Sequence, residues 1–470
     1  ATFIGGSADD RGLGVAVDNQ GQAYMTGRTY SPNTNSMDVL VVKMSADGSQ
    51  FLWSALIGGS GDDEGFDIAI DSTGASYVVG MTTSTNFART VGPDLTYNGG
   101  AADAFVLKIN PAGNALVFSG FIGGSGVDFA EGVAMDGNGN VYVEGPTNST
   151  QATFPVLVGP DLTANGKYDI FVTKVNATGN ALIYSGFIGG SGDDCGNSAG
   201  WITSGHITLD SAGNAYISGE TKSTQTTFPN GNGFGTLPSW DKTHNGAYDA
   251  FLVKVKADGT GLAWAGYVGG KLDDMGFGVA LDPSGNVYFT GQTNSSESTF
   301  PTGSGFGNIP GYDKTYAGGT DAFVAKVNPS GTALLFVTYL GGTKLDNGNA
   351  VAVDGAGNVY VAGHAESPEF PVLVGPDLTF NGPSTDGDAF ITKLDTTGTQ
   401  ILYSGFIGGA GDDHAFWIAL DPFGNAYVVG DADMNSKADT VPNGSGLGSL
   451  PGAQRVSNGG WEAFLVKISN

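Results

Sequence analysis

GGSGDDEGFDIAIDSTGASYVVG, residues 58–80, decides the fold. A glycine pair opens it and an aspartate follows. FDIAID then reads as a short strand of β-branched and small residues, and SYVVG as its partner. Between them lies a D-x-x-G turn, where glycine supplies the positive φ that a tight hairpin needs. Beyond residue 80 come a variable stretch, a third strand DAFVLKIN at 103–110, and a fourth, NALVFSGFIGG, at 114–124. Its last two glycines start the same phrase again. The pair recurs at Gly5, Gly58, Gly123, Gly189, Gly269, Gly341 and Gly408, at spacings of 53 to 80 residues. Seven tandem units override any domain count read from length alone.

Other columns keep the register. The turn glycine falls at Gly21, Gly74, Gly139, Gly213, Gly285, Gly357 and Gly424. A tyrosine marks every second strand: Tyr24, Tyr77, Tyr142, Tyr216, Tyr288, Tyr360 and Tyr427. No segment carries a 3.6-residue apolar period, so the chain reads as all-β. Four-stranded units in tandem bury both sheet faces by packing radially, which predicts a seven-bladed β-propeller of antiparallel blades over residues 1–470 as one domain. Residues 1–6, ATFIGG, match only the tail of a fourth strand, and the last unit stops after its third. Running from Gly408 through Asn470 and on to Gly5 gives 67 residues, inside the observed spacing. The N-terminal segment is therefore expected as the outer strand of blade seven, hiding two unpaired edges.

The pattern G-G-x-x-x-D-x-G … A-V-D-x-x-G-N-V-Y-V-x-G … F-P … D-A-F-V-x-K resembles the bacterial SBBP-type β-propeller repeat. The resemblance spans essentially the whole chain and implies the propeller fold. It also implies an exported or surface-associated protein, and it says little about activity. Unit one departs by a short linker without Phe-Pro, unit four by an insertion around Asn197–Ser204, and unit seven by Glu462 in place of aspartate.

Composition narrows the function. There are 46 Asp+Glu against 19 Lys+Arg, a formal net charge of −27, and only 14% of positions are charged. Such a surface repels phosphate backbones and anionic lipid heads, so nucleic-acid binding is not expected. No run of 18 apolar residues exists, so membrane insertion is not expected either. One cysteine, Cys195, excludes an internal disulfide framework; a small buried residue is the expectation for it.

Long loops between strands two and three, such as 221–249, are expected on one face with the G-G-x-x-D-D loops. V-G-P-D-L-T recurs in them at 91–96, 158–163 and 374–379, which predicts ordered lids. An aspartate stands four residues after each glycine pair: Asp10, Asp63, Asp128, Asp194, Asp274, Asp346 and Asp413. These carboxylates read either as a ring binding a divalent cation, calcium first, or as acceptors for their own loops' N–H groups. A second aspartate ends each first strand and a lysine closes each third strand, which predicts recurrent Asp–Lys pairs near the short turns.

A single-ligand site must use residues that break the repeat. The column after the ring aspartate reads Arg11, Glu64, Phe129, Cys195, Met275, Asn347, His414. The column after the glycine of strand two reads Arg28, Met81, Pro146, Glu220, Gln292, His364, Asp431. Blades six, seven and one are neighbours in a closed ring, and they combine Arg11, Arg28, His364, His414 and Asp431, including two of the chain's four histidines. Histidine beside a carboxylate suits acid/base work or metal ligation.

No nucleophile, zincin or phosphate-loop motif is present. The expected role is a structural or interaction protein of the cell surface or exterior, Ala1 being read as the start of a mature or excised chain. Its partners would be other surface or matrix proteins or copies of itself. Two alternatives stand beside it. One is a carbohydrate-binding or carbohydrate-cleaving propeller, with Trp240, Tyr312, Tyr316 and Trp461 stacking on sugars and Glu220, Glu297 and Asp431 as carboxylates. The other is a calcium-dependent adhesion module.

Overall fold

The computed structural model describes residues 1–6, 8–31, 35–195, 206–382, 387–433, 442, 452–454 and 460–470. Seven four-stranded antiparallel sheets make up the fold. In the second blade the strands are Asp63–Ile70, Ser76–Thr82, Asp103–Ile109 and Leu116–Ile122, hydrogen-bonded in that order. The first strand of each blade touches the first strands of both neighbouring blades, and that of blade seven touches that of blade one. The ring is closed, with the first strands innermost. Blade seven is completed as the sequence predicts. Thr2–Ile4 pairs with Trp461–Ile468, setting Phe3 opposite Phe464. Phe3 is 1% exposed.

Apolar residues from facing sheets fill each seam between blades. The seam joining blade seven to blade one holds Ile4, Val15, Met25, Leu40, Val42, Tyr427, Val429 and Leu465. All seven turn glycines adopt positive φ, from 76° at Gly21 to 89° at Gly357. The tyrosine column has a second use. In four blades its hydroxyl crosses to the turn of the next blade, donating to a carbonyl there: Tyr142 to Gly213 at 3.1 Å, Tyr288 to Gly357 at 3.3 Å, Tyr360 to Gly424 at 3.2 Å and Tyr427 to Gly21 at 3.0 Å. The last of these spans the joint between the ends of the chain.

Six of the seven expected Asp–Lys pairs form, each within its blade; among the described residues Lys43 and Asp18 of blade one do not pair. Lys108–Asp71, Lys174–Asp136 and Lys254–Asp210 stand at 3.1 Å, Lys326–Asp282 and Lys393–Asp354 at 3.6 Å, and Lys467–Asp421 at 3.7 Å. Every one of these lysines also lies over its blade's tyrosine ring, and in blade one Lys43 covers Tyr24 at 4.7 Å. A cation held between a carboxylate and an aromatic face gains from both, about 0.5–1 kcal/mol each where water still reaches it.

The long loops leave beside the glycine-pair loops, as expected, Gly61 N–H donating to Ser84 Oγ at 2.8 Å. They then go further than expected and fold back over the outer edge of their own blade. Val91 and Asp94 carbonyls accept from Ser119 and Phe121 N–H of the outer strand, at 2.7 and 2.8 Å. Val158 and Asp161, Pro238 and Asp241, Pro310 and Asp313, and Val374 and Asp377 do the same in blades three to six. In blade seven Gln454 accepts from Phe3 N–H at 3.1 Å. The reason is the edge itself: an outer strand leaves a row of unpaired N–H and C=O groups that a covering segment satisfies. V-G-P-D-L-T has a steric logic too. At Gly92 a Cβ would stand 2.5 Å from the Cα of Gly120, so only glycine lets the lid lie on the strand. Blade one has the short linker. Among the described residues nothing hydrogen-bonds the outer edge of its strand Phe51–Ile57.

Candidate functional site

The seven ring aspartates are fully buried, each at most 1% exposed. The Oδ2 atom of each accepts the N–H of the second glycine of its own pair, at 2.6–2.9 Å, as Asp63 does from Gly59. Threonine and serine hydroxyls of the second strand add to this, Thr82 and Ser84 on Asp63 being typical. Burial outweighs these donors and raises all seven carboxyls, and each cage offers hydrogen-bond donors where calcium asks for six to eight oxygens. The seven do not gather: among the described residues no three of them bring ligand atoms within 4.8 Å.

Six ring aspartates have a second buried carboxylate beside them, from the third strand of the preceding blade: Asp38 by Asp63, Asp103 by Asp128, Asp169 by Asp194, Asp249 by Asp274, Asp321 by Asp346 and Asp388 by Asp413. Each pair flanks the first glycine of a Gly-Gly motif. A Cβ on Gly123 would stand 3.2 Å from Asp103 Oδ1 and 3.1 Å from Asp128 Oδ2. Burial, aided by the neighbouring negative charge, pushes Asp103 up to about 7 and Asp169 and Asp249 to about 8. Burial raises Asp321 and Asp388 likewise, a property their repetition alone does not reveal.

The two variable columns meet in space. Within blades they sit opposite each other across the first and second strands, Arg11 opposite Arg28 and His414 opposite Asp431. Between blades the second-strand residue reaches the first-strand residue of the next blade. His364 packs on His414 with ring centroids 4.4 Å apart. Asp431 Oδ2 meets Arg11 Nε at 3.1 Å, and Arg28 Nη1 meets Glu64 Oε1 at 2.6 Å. A polar belt therefore runs from blade six through blades seven and one to blade two. Of the five nominated residues, Arg11, His364, His414 and Asp431 share one centre. Arg28 turns away to Glu64.

At that centre His414 Nδ1 lies 3.0 Å from Asp431 Oδ1, so Asp431, itself fully buried, bridges the imidazole and the Arg11 guanidinium. Asp412, from the glycine-pair loop, reaches between the two rings. Its Oδ1 stands 3.4 Å from His364 Nε2 and 3.7 Å from His414 Nε2, and accepts the Gly387 N–H at 3.0 Å. Trp461 stacks on His414 at 5.7 Å and lies under Arg11 at 5.4 Å; Phe416 stacks beside His414 at 5.8 Å. Burial pushes His364 down, Asp412 opposing this only in part. Burial would also lower His414, but Asp431 outweighs it and raises that imidazole. Burial acts to raise Asp412, yet the two histidines hold it below the usual carboxylate range. Among the described residues His364, Asp412 and His414 form the group able to hold a metal ion, with ligand atoms within 4.8 Å of one another.

Of the carbohydrate residues, Trp461 and Asp431 meet, both around His414. Glu220, Glu297 and Asp431 belong to blades four, five and seven. Trp240 is used internally, filling the space above Gly266 and donating to the Tyr267 carbonyl at 2.6 Å; Tyr316 packs on Tyr339. Cys195 is buried, and the insertion beside it, including Trp201, lies outside the described residues. Sequence reasoning missed three features. Asp412 was visible only as half of an Asp-Asp pair. His206 of blade four stacks face to face on Trp417 of blade seven at 4.0 Å, bridging the inner strands of distant blades, and burial takes its imidazole down to about 3. Asp67 and Glu144 sit buried on the first and second strands of adjacent blades, and burial raises both. No motif announces a contact across the ring.

The fold and its belt define a seven-bladed propeller in which one joint differs chemically from the rest. The β-propeller repeat family SBBP matches residues 52–88, 263–297 and 335–371. The chain is 25% identical over 452 residues to an uncharacterized WD repeat-containing protein, L264, of Acanthamoeba polyphaga mimivirus, an alignment covering 84% of this chain and 31% of that protein. It is 28% identical over 234 residues to the regulatory protein FlaEY of Caulobacter vibrioides, covering 48% of this chain and 22% of that one. The chain thus spans a third or less of the length of these relatives. Among solved structures, a polysaccharide lyase of family PL25, an ulvan lyase bound to a saccharide, gives a TM-score of 0.48 at 11% identity, covering 99% and 96% of the two chains. The WD40 propeller domain of Doa1 gives 0.46 at 8%, covering 92% of each.

Proposed function

We propose that the chain is a structural or interaction scaffold of the cell surface or exterior, assembling with copies of itself through the rim of the disc. One observation carries this reading. The outer strand of blade one, Phe51–Ile57, keeps an uncovered edge among the described residues and exposes Phe51, Leu52 and Leu56 at 41%, 44% and 60%. Blades two to six cover the same edge with a lid. An antiparallel edge is self-complementary under a two-fold axis, so a second copy supplies the missing neighbour. The low charged fraction and the glycine-rich repeats support an exterior location. The net charge of −27 opposes contact between copies at low salt. Sedimentation velocity over a range of concentration and salt tests the reading. Association should strengthen as salt rises and vanish in the double variant Leu52→Lys, Leu56→Lys. A protein monomeric throughout, or a variant that still associates, defeats it.

A further inference from the structure

We propose that His364, Asp412 and His414 form a binding site for one divalent transition-metal ion of the zinc type, at the joint between blades six and seven. Two imidazoles and one carboxylate are a donor set that zinc accepts, leaving a fourth position open. Tetrahedral ligands at about 2.0–2.1 Å from zinc stand about 3.4 Å apart. Asp412 Oδ1 already lies 3.4 and 3.7 Å from the two Nε2 atoms. All three ligand atoms lie within 4.8 Å of one another, so binding draws the two rings together.

Three independent features point the same way. His364 Nε2 is buried and makes no well-aligned hydrogen bond, although it faces Asp412. His414 binds Asp431 through Nδ1, which turns Nε2 toward Asp412; a carboxylate behind a ligating imidazole is the usual second support of a metal site. Arg11 holds the far oxygen of that carboxylate. Gly387 leaves the space: a Cβ there would stand 2.1 Å from His364 Nε2.

The repeat supplies the control. Both histidines occupy columns that vary from blade to blade, and no other pair of adjacent blades places two imidazoles there. Fold geometry does not demand them. Trp461 and Phe416 beside His414 exclude water from one side and strengthen the attraction between cation and carboxylate.

The full chain, stripped with chelator and then freed of it, is titrated with Zn²⁺ alone by calorimetry and with Co²⁺ alone by visible absorption. The expected result is one ion per chain, with a Co²⁺ spectrum of tetrahedral type. His364→Ala and His414→Ala should each abolish this binding. Asp431→Asn, a change at a positioning residue, should weaken it by about 10–100-fold. His244→Ala, on a distant lid, should leave it unchanged. Ca²⁺ alone should not compete, since it prefers an all-oxygen shell. X-ray absorption of the zinc-loaded wild type reads the ligands without any substitution, and two imidazoles should appear. Failure to bind Zn²⁺, a shell without imidazole, displacement by Ca²⁺, or binding that survives loss of both histidines overturns the proposal.

Discussion

Replacing Asp103 by asparagine should flatten the pH dependence of stability. Asp103 is buried, its Oδ2 accepts the Asn98 N–H at 2.7 Å, and its Oδ1 lacks a partner while facing Asp128 across Gly123. Burial, then the charge of Asp128, raises it from 3.8 in the unfolded chain to about 7. The folded form therefore binds the proton more tightly. Its stabilising contribution is complete below about pH 4 and is lost as pH rises through about 7. Each pH unit well below 7 costs about 1.4 kcal/mol for this one group, less as half ionisation is reached, so pH 5 to pH 7 removes about 2 kcal/mol. With 470 residues and an unfolding entropy of about 2 cal/mol/K per residue, that equals a Tm change of about 2 °C. Asparagine keeps the acceptor for Asn98 and places its NH₂ where the proton would sit, toward Asp128. Thermal melts of both proteins at pH 5 and pH 7 provide the assay. Relative to wild type, Asp103→Asn should gain about 2 °C on going from pH 5 to pH 7. Parallel losses in the two proteins would show that Asp103 is ionised in the folded state throughout, refuting the acid-pair reasoning.

Three further outcomes follow from the architecture. Phe3→Ala should cost about 3–5 kcal/mol and, by loosening the outer strand of blade seven, promote aggregation on mild heating, read by light scattering during a melt. Tyr427→Phe removes the hydroxyl on the Gly21 carbonyl and should cost about 1 kcal/mol, measured as a lower denaturant midpoint with an unchanged slope. Gly92→Ala should lift the blade-two lid from Gly120, so limited proteolysis should cut near residues 88–98 far sooner than in wild type while the melting temperature falls little.

Blade number, strand order and the shared seventh blade were all legible, because each rests on a column repeated in register. The Asp–Lys pairs were legible for the same reason: strands one and three run the same way, so their last residues end side by side. The order of the lids and their start beside the glycine-pair loops were legible, but their second task was not. It depends on the unpaired N–H groups of a strand almost thirty residues later, as at Ser119 and Phe121, and no local signal encodes that reach. The polar centre was half visible. His364, His414, Asp431 and Arg11 stood out by breaking the repeat. Asp412 did not, since four other blades carry the same aspartate, Asp9, Asp62, Asp193 and Asp273, with no imidazole beside it. The contact of His206 with Trp417 depends on how narrow the ring's interior is, a global dimension that no single repeat contains.

Because Thr2–Ile4 pairs with Trp461–Ile468, the order of synthesis and the order of docking run opposite ways. Thr2–Ile4 are made before the strand they pair with and find that neighbour only after some 460 more residues have been added. Meanwhile a nascent chain holds a bare β-segment with Phe3 in water, and its first six blades stand as an unclosed arc. Over that interval the uncovered edges and Phe3 are the surfaces on which an unfinished disc can aggregate.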